Sequence, residues 1–295
     1  MRFLKKIADA FIFTNIYLAV CVTSLVFETS IILNGKITDY KYPLFLFSST
    51  LFLYCFHRVY KWNSRTTSEM AAERHLWLQR NKTLFYGVMI LAGTMVITCL
   101  LFFVKFSIVL YMLPVALISF GYTIPFIPYK GKLWRLRDVP GIKIFLITLV
   151  LGLTTVLLPV LAYAHVNVLT RSDVVFMFVR RMIFIFAITI PFDIRDREYD
   201  ALKGTRTLPV VLGIRRSKII ALVSLGFFLP LALIQDTFYT PVSIYYKLAL
   251  AISIVPAVVG IIKCDEKRSD YFYSVFMEGT MLLQCLLIIA ANTLV

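Results

Sequence analysis

The sequence predicts an all-α polytopic membrane protein, a bundle of about nine transmembrane helices around a central cavity with a polar cap on one face. Three observations predict it. Sixty per cent of the 295 residues are hydrophobic and only 16% are charged. The mean hydropathy is +0.83, more apolar than any water-soluble core of this size requires. The basic residues are distributed unevenly between the connections that would lie on opposite faces of a membrane.

Apolar runs long enough to span a bilayer begin near Ala10, Pro43, Phe85, Phe106, Ile142, Val174, Ile219, Leu248 and Phe272. The run from Phe106 to Tyr122 is the shortest of them. With the N-terminus cytoplasmic, the inner segments are 1–9, 57–83, 124–143, 193–218 and 263–271. They hold 24 of the 31 Lys and Arg. The outer connections hold Lys36, Lys41, Lys105, Arg171 and Lys247. That bias sets the orientation and, with nine spans, places the C-terminus outside an inner or plasma membrane. It also accounts for the net charge of +15 without nucleic acid, because these residues would face anionic inner-leaflet lipid.

Met1-Arg2-Phe3-Leu4-Lys5-Lys6 resembles the basic head of a signal peptide. The apolar stretch that follows continues past Phe27 without a small-residue cleavage site, so a retained first helix is expected. Cys21, Cys55, Cys99, Cys264 and Cys285 are scattered and show no metal or redox spacing, which predicts buried apolar packing. No linker or low-complexity tract divides the chain, so residues 1–295 read as one transmembrane domain. The outer loops are short, and the polar mass lies in the connections after the second, fourth and sixth spans. Pro114, Pro159, Pro230 and Pro256 interrupt spans. Pro191 lies where it could open helix backbone towards a cavity.

The most chemically pointed stretch follows the sixth span. Asp193, Asp196 and Asp200 stand at i, i+3 and i+7, within roughly a 60° arc if one helix carries them. Carboxylates that close repel unless a cation sits among them. A hard divalent ion such as Mg²⁺ prefers carboxylate oxygens and often brings a substrate phosphate.

Asp193-x-x-Asp196-x-x-x-Asp200-x-x-x-Gly204, followed by Thr207-Leu208-Pro209-Val210 and Gly213, resembles the second aspartate-rich motif of the UbiA superfamily of intramembrane prenyltransferases. The resemblance extends over essentially the whole chain. It implies transfer of an isoprenyl group from an isoprenyl diphosphate to a hydrophobic acceptor, aromatic or lipid, with Mg²⁺ held by Asp193, Asp196 and Asp200 as the catalytic and metal-binding set. The connection after the fourth helix, with Tyr122, Pro125, Tyr129, Lys130, Lys132, Arg135, Arg137, Pro140 and Lys143, also resembles the family's. Tyr122, Lys130, Arg135 and Arg137, with Lys203 and Arg206 beside the acidic run, are expected to bind diphosphate through charge-assisted hydrogen bonds. Individual Lys and Arg there are equally compatible with an ordinary positive-inside loop.

The first aspartate-rich motif departs from the family pattern. In the register of Asn-Asp-x-x-Asp-x-x-x-Asp stand His57, Arg58, Lys61 and Arg65, clustered within about a 100° arc of a helix. No metal binds such a set. Two readings follow. Either the basic cluster replaces a metal and grips diphosphate opposite the acidic motif, or it pairs with Asp193, Asp196 and Asp200 and the protein is a non-catalytic relative that binds isoprenoid or quinone-like lipid. The intact Gly and Thr-Leu-Pro context favours the first.

Glu69 and Glu73 read as a solvated helix face. Arg180 and Arg181 lie inside the sixth span, where snorkelling to the outer interface is the expected outcome. His75 and His165 have no metal-ligand spacing, and no nucleophilic triad is present. A transporter is disfavoured, since coupling sites lie near the midplane and these charges lie at span ends.

Overall fold

The computed structural model describes residues 2–37, 39–62, 73–129, 132–163, 172–234 and 243–295. Helix α1 (Arg2–Phe13) stands apart from the first span, α2 (Ile16–Asn34). The expected start near Ala10 therefore moves inward. Asn15 makes the break, with φ of 68° in the left-handed region that Asn tolerates. Leu4, Ile7 and Phe11 form an exposed apolar stripe on α1, while Lys5, Lys6 and Asp9 suit it poorly to the hydrocarbon.

The chain continues through α3 (Lys41–Trp62), α4 (Glu73–Arg80), α5 (Lys82–Phe102) and α6 (Phe106–Gly121). An antiparallel pair, β1 (Ile127–Tyr129) and β2 (Lys132–Trp134), and a 3₁₀ turn at Leu136–Asp138 fill the next connection. Then come α7 (Ile142–Gly152), a π-helical stretch at Leu153–Leu157 and α8 (Leu158–Tyr163). The remaining helices are α9 (Ser172–Arg195), α10 (Arg197–Leu202), α11 (Leu208–Leu212), α12 (Ile214–Ile234), α13 (Ile244–Lys263) and α14 (Glu278–Asn292). A second π stretch at Phe272–Met277 leads into α14.

Seven helices among the described residues are long and apolar enough to cross a membrane. The other two expected spans are helical but fall outside those criteria. Helix α3 is long enough yet carries Lys41, His57, Arg58 and Lys61, and α6 has only 16 residues. Neighbouring helices pack in a chain α5–α3–α2–α14–α13–α12–α9–α7, so α2 joins the first and last parts of the sequence. Outward faces are apolar, with Ile90, Leu101, Phe106, Leu117 and Phe227 exposed, as lipid-facing surface should be.

The interior contains polar groups that are matched pairwise. Gln284 on α14 donates to Ser253 on α13 at 3.1 Å. Helix α2 reaches carbonyls of both π stretches: the Thr29 hydroxyl donates to the Thr155 carbonyl at 2.9 Å, and Tyr17 donates at 3.1 Å to the Val275 carbonyl, which also accepts from the Glu278 N–H. The five cysteines are free and buried, as their scatter predicts.

The snorkelling expected of Arg180 and Arg181 does not occur. Both side chains are 2% exposed and face Glu28, itself 1% exposed, at 3.7 and 3.0 Å. Arg181 also reaches Leu25 O and Thr29 Oγ1, each at 3.3 Å. Glu28 is an acidic residue inside an otherwise apolar span, and an intramembrane charge requires a partner within the bundle.

Candidate functional site

Helix α9 runs through Pro191 and delivers Asp193 at its last turn. At Asp196 the helix breaks, with φ −89° and ψ 6°, before α10 restarts. The three aspartates therefore do not share one environment. Asp193 and Asp200 are 3% and 7% exposed and converge on a single ammonium. Lys143 Nζ lies 2.7 Å from Asp193 Oδ1 and 3.0 Å from Asp200 Oδ2. Asp196 turns aside: its two oxygens accept from Arg195 Nε and Nη2 at 2.8 and 3.2 Å. The Arg195 guanidinium also lies 3.7 Å from Asp270 and rests on the rings of Phe192 and Tyr273.

Local backbone chemistry explains how two distant segments meet here. Gly204, at φ 71°, ends α10: its N–H donates to Ala201, and Thr205 N–H donates to Asp200. This is a Schellman arrangement, and it needs a left-handed residue at that position. Thr207 then precedes α11, where Pro209 sits in the first turn without needing its missing N–H. The glycine and Thr-Leu-Pro string is therefore a helix stop followed by a helix start, which turns the chain back into the bundle. Gly141, at φ 75°, donates its N–H to the Arg206 carbonyl at 3.2 Å and precedes α7. That bond ties the 124–143 connection to the acidic loop and sets Lys143 between the carboxylates. Gly204→Ala is expected to cost about 1 kcal/mol, because a Cβ disfavours the left-handed region, and Gly204→Asn less. Thermal unfolding of both variants in detergent checks the order.

Tyr122, at the end of α6, stands beside this cluster. A tyrosine hydroxyl is neutral at physiological pH and can donate a hydrogen bond. Arg137 lies with its guanidinium 5.8 Å from the Tyr122 ring, and His57 is 5.5 Å from the same ring. His57 Nε2 is 3.2 Å from the Ser119 carbonyl, which can only accept, so that nitrogen carries the proton.

The remaining sequence-selected residues are placed differently. Arg58 donates to the Phe13 carbonyl at 2.9 Å and braces the junction of α1 and α2. Arg135 pairs with Asp138 at 2.8 and 3.0 Å inside its own turn. Lys203 is exposed with its ammonium 4.5 Å from the Tyr199 ring centre, and Arg206 is exposed. Lys61 lies on α3 with its side chain outside the described part, while Arg65, Glu69 and Lys130 lie outside the described residues altogether. Glu73 begins α4.

The donors of the aspartate set decide whether it can hold Mg²⁺. Among the described residues, no three His, Cys, Asp or Glu side chains gather as a metal-holding group. The two carboxylates that face each other share the Lys143 ammonium, and Asp196 is chelated by Arg195. As arranged, these residues do not fit a Mg²⁺ site. A groove of about 780 Å³ between α13, α14 and Tyr17, rimmed by Lys267 and Arg268, includes none of the site side chains named above in its lining.

The model of the UbiA prenyltransferase family matches residues 78–281. Its prenyltransferases generally use Mg²⁺ with diphosphate substrates. A solved structure described as digeranylgeranylglyceryl phosphate synthase is similar over 99% of this chain and 100% of its own, at 15% identity and a TM-score of 0.58. An apo UbiA homologue from Aeropyrum pernix K1 is similar over 93% of this chain and 96% of its own, at 11% identity and a TM-score of 0.58. No curated protein matches the chain.

Proposed function

This chain belongs to the UbiA prenyltransferase family, and from that premise we propose that it transfers an isoprenyl group from an isoprenyl diphosphate to a hydrophobic acceptor at the end of the bundle where Lys143 meets Asp193 and Asp200. The observation that carries the reading is the convergence of Tyr122 and Lys143, from the two flanks of one connection, upon that carboxylate pair, with the Arg137 guanidinium beside the Tyr122 ring. Arg137 can grip two phosphate oxygens, Tyr122 can donate one hydrogen bond, and the Lys143 ammonium adds a positive charge. The allylic C–O bond breaks with its electron pair going to the diphosphate, whose charge these donors stabilise as it develops. The allylic carbon then bonds to the acceptor's nucleophilic atom, which gives up a proton. We place this end of the bundle on the cytoplasmic side, following the Lys and Arg distribution, and treat residues 1–295 as one transmembrane domain.

Equilibrium binding of farnesyl and geranylgeranyl diphosphate to the detergent-purified protein tests the reading. Arg137→Ala should weaken binding roughly 10- to 100-fold, the loss of a charged hydrogen-bond donor. Failure of both diphosphates to bind, with and without Mg²⁺, would overturn it.

A second reading has its own support. With the acidic pair neutralised by Lys143 and Arg58 engaged at Phe13, the chain would be a non-catalytic relative that holds isoprenoid or quinone-like lipid. Equal affinity for a prenyl alcohol and its diphosphate would favour that reading.

A further inference from the structure

We propose that the Lys143 ammonium is the resident cation of this site, so that Asp193 and Asp200 take up no divalent ion and any diphosphate held there binds without one. The metal part of this inference stands on three side chains alone; the diphosphate part rests on the prenyl-transfer reading.

The geometry points to it in several ways. Two oxygens from separate segments, Asp193 Oδ1 and Asp200 Oδ2, are directed at one nitrogen at 2.7 and 3.0 Å. These are distances of charge-assisted hydrogen bonds, and they define the point that a bridging cation would occupy. Mg²⁺ demands oxygens at about 2.0–2.1 Å in a near-octahedral set. An ion satisfying both carboxylates would stand almost upon the ammonium, in a region where little water screens their repulsion. The side chains of Lys143, Asp193 and Asp200 are only 18%, 4% and 10% exposed.

The third carboxylate does not help a metal. Asp196 is held by both ends of the Arg195 guanidinium, which is in turn held against Asp270 and two aromatic rings. Recruiting it would break that network. The Lys143 ammonium already offsets one of the two negative charges, and a divalent ion added beside it would meet like-charge repulsion; Arg137 has its own carboxylate neighbour, Asp138, at 3.9 Å. The basic residues at 57, 58, 61 and 65 follow the same logic in sequence: the register that would supply carboxylates for a further ion supplies none.

Lys143 is positioned by main chain and not by chance contact. It is the second residue of α7, two residues after Gly141, whose N–H is bound to the Arg206 carbonyl in the acidic loop. An ammonium has three N–H groups, and two go to the carboxylates. The third is left for a ligand oxygen. The pair of aspartates would then serve to aim and retain a fixed cation, where a metal-dependent site would use them to hold a mobile one.

The test uses Mn²⁺ as the probe, followed by electron paramagnetic resonance on the detergent-purified full chain. The wild type and Lys143→Arg should show no stoichiometric Mn²⁺ binding. Lys143→Met should gain about one Mn²⁺ per chain, lost again in Lys143→Met/Asp193→Asn. One Mn²⁺ per wild-type chain, abolished by Asp193→Asn or Asp200→Asn, overturns the proposal; this measurement decides it even if Lys143→Met fails to fold. In the second arm, geranylgeranyl diphosphate affinity should differ less than about twofold between EDTA and excess Mg²⁺, and a gain of about tenfold or more with Mg²⁺ overturns it. Absence of diphosphate binding in both conditions would refute the prenyl-transfer reading, while the Mn²⁺ result still decides the metal question.

Discussion

Glu28→Gln is expected to be among the most destabilising single substitutions in the bundle, at roughly 3–5 kcal/mol, the usual cost of removing one member of a buried ion pair. Glu28 faces two guanidinium groups, Arg180 at 3.7 Å and Arg181 at 3.0 Å, all three nearly inaccessible. Without the carboxylate, two like charges stand side by side among apolar helices, where water cannot screen them. Arg181→Met should cost less, because Arg180 still faces Glu28. Replacing all three by Met should recover much of the loss, since an ion cluster exchanged for apolar groups is often neutral or better. Thermal unfolding in detergent reads the order directly. A Glu28→Gln melting temperature equal to that of Arg181→Met would show that the carboxylate does not serve both arginines.

Lys143→Met should cause the second large effect, for the converse reason. It leaves Asp193 and Asp200, from two different helices, converging on an emptied point with their negative charges uncompensated. The expected destabilisation is again about 3–5 kcal/mol, and Asp193→Asn in the same chain should recover part of it. Lys143→Arg should cost far less than Lys143→Met, because the charge remains. If the chain turns over an isoprenyl diphosphate, Lys143→Met should also slow it by about 10²–10³-fold, the scale of removing one preorganised group from a developing anion. A Lys143→Met protein as stable as Lys143→Arg would show that the ammonium is not what holds the carboxylates together.

Much of this was legible along the chain. The apolar runs required a helical membrane bundle, because backbone polar groups in lipid must be satisfied within the element. The Gly204 and Thr-Leu-Pro string could be recognised as a motif, and its physical sense is a helix stop and restart. The acidic run was correctly placed at the end of a span. The sequence does not single out the cation that meets the carboxylates. The charges at 57–65 stand in a motif register, whereas Lys143 reads as one basic residue among several in the next connection. The available signal was a lysine two residues after Gly141, in Pro140-Gly141-Ile142-Lys143, at the start of an apolar run. The counterion of Arg180 and Arg181 also had a signal, a single glutamate in the first span. Its partners lie more than 150 residues away, so no local pattern could pair them.

The sequence by itself determined which segments are helical and membrane-like, where the chain turns, and which family it belongs to, because these follow from local hydropathy, backbone preference and short motifs. Only the tertiary structure decided which charges meet. Helix α9 breaks at Asp196, so one carboxylate turns to Arg195 and the other two turn to Lys143. That choice depends on a hydrogen bond between Gly141 and Arg206 and on the packing of α7 against α9. Electrostatic partnership acts through a few ångströms of space, and distance along the chain carries almost no information about it.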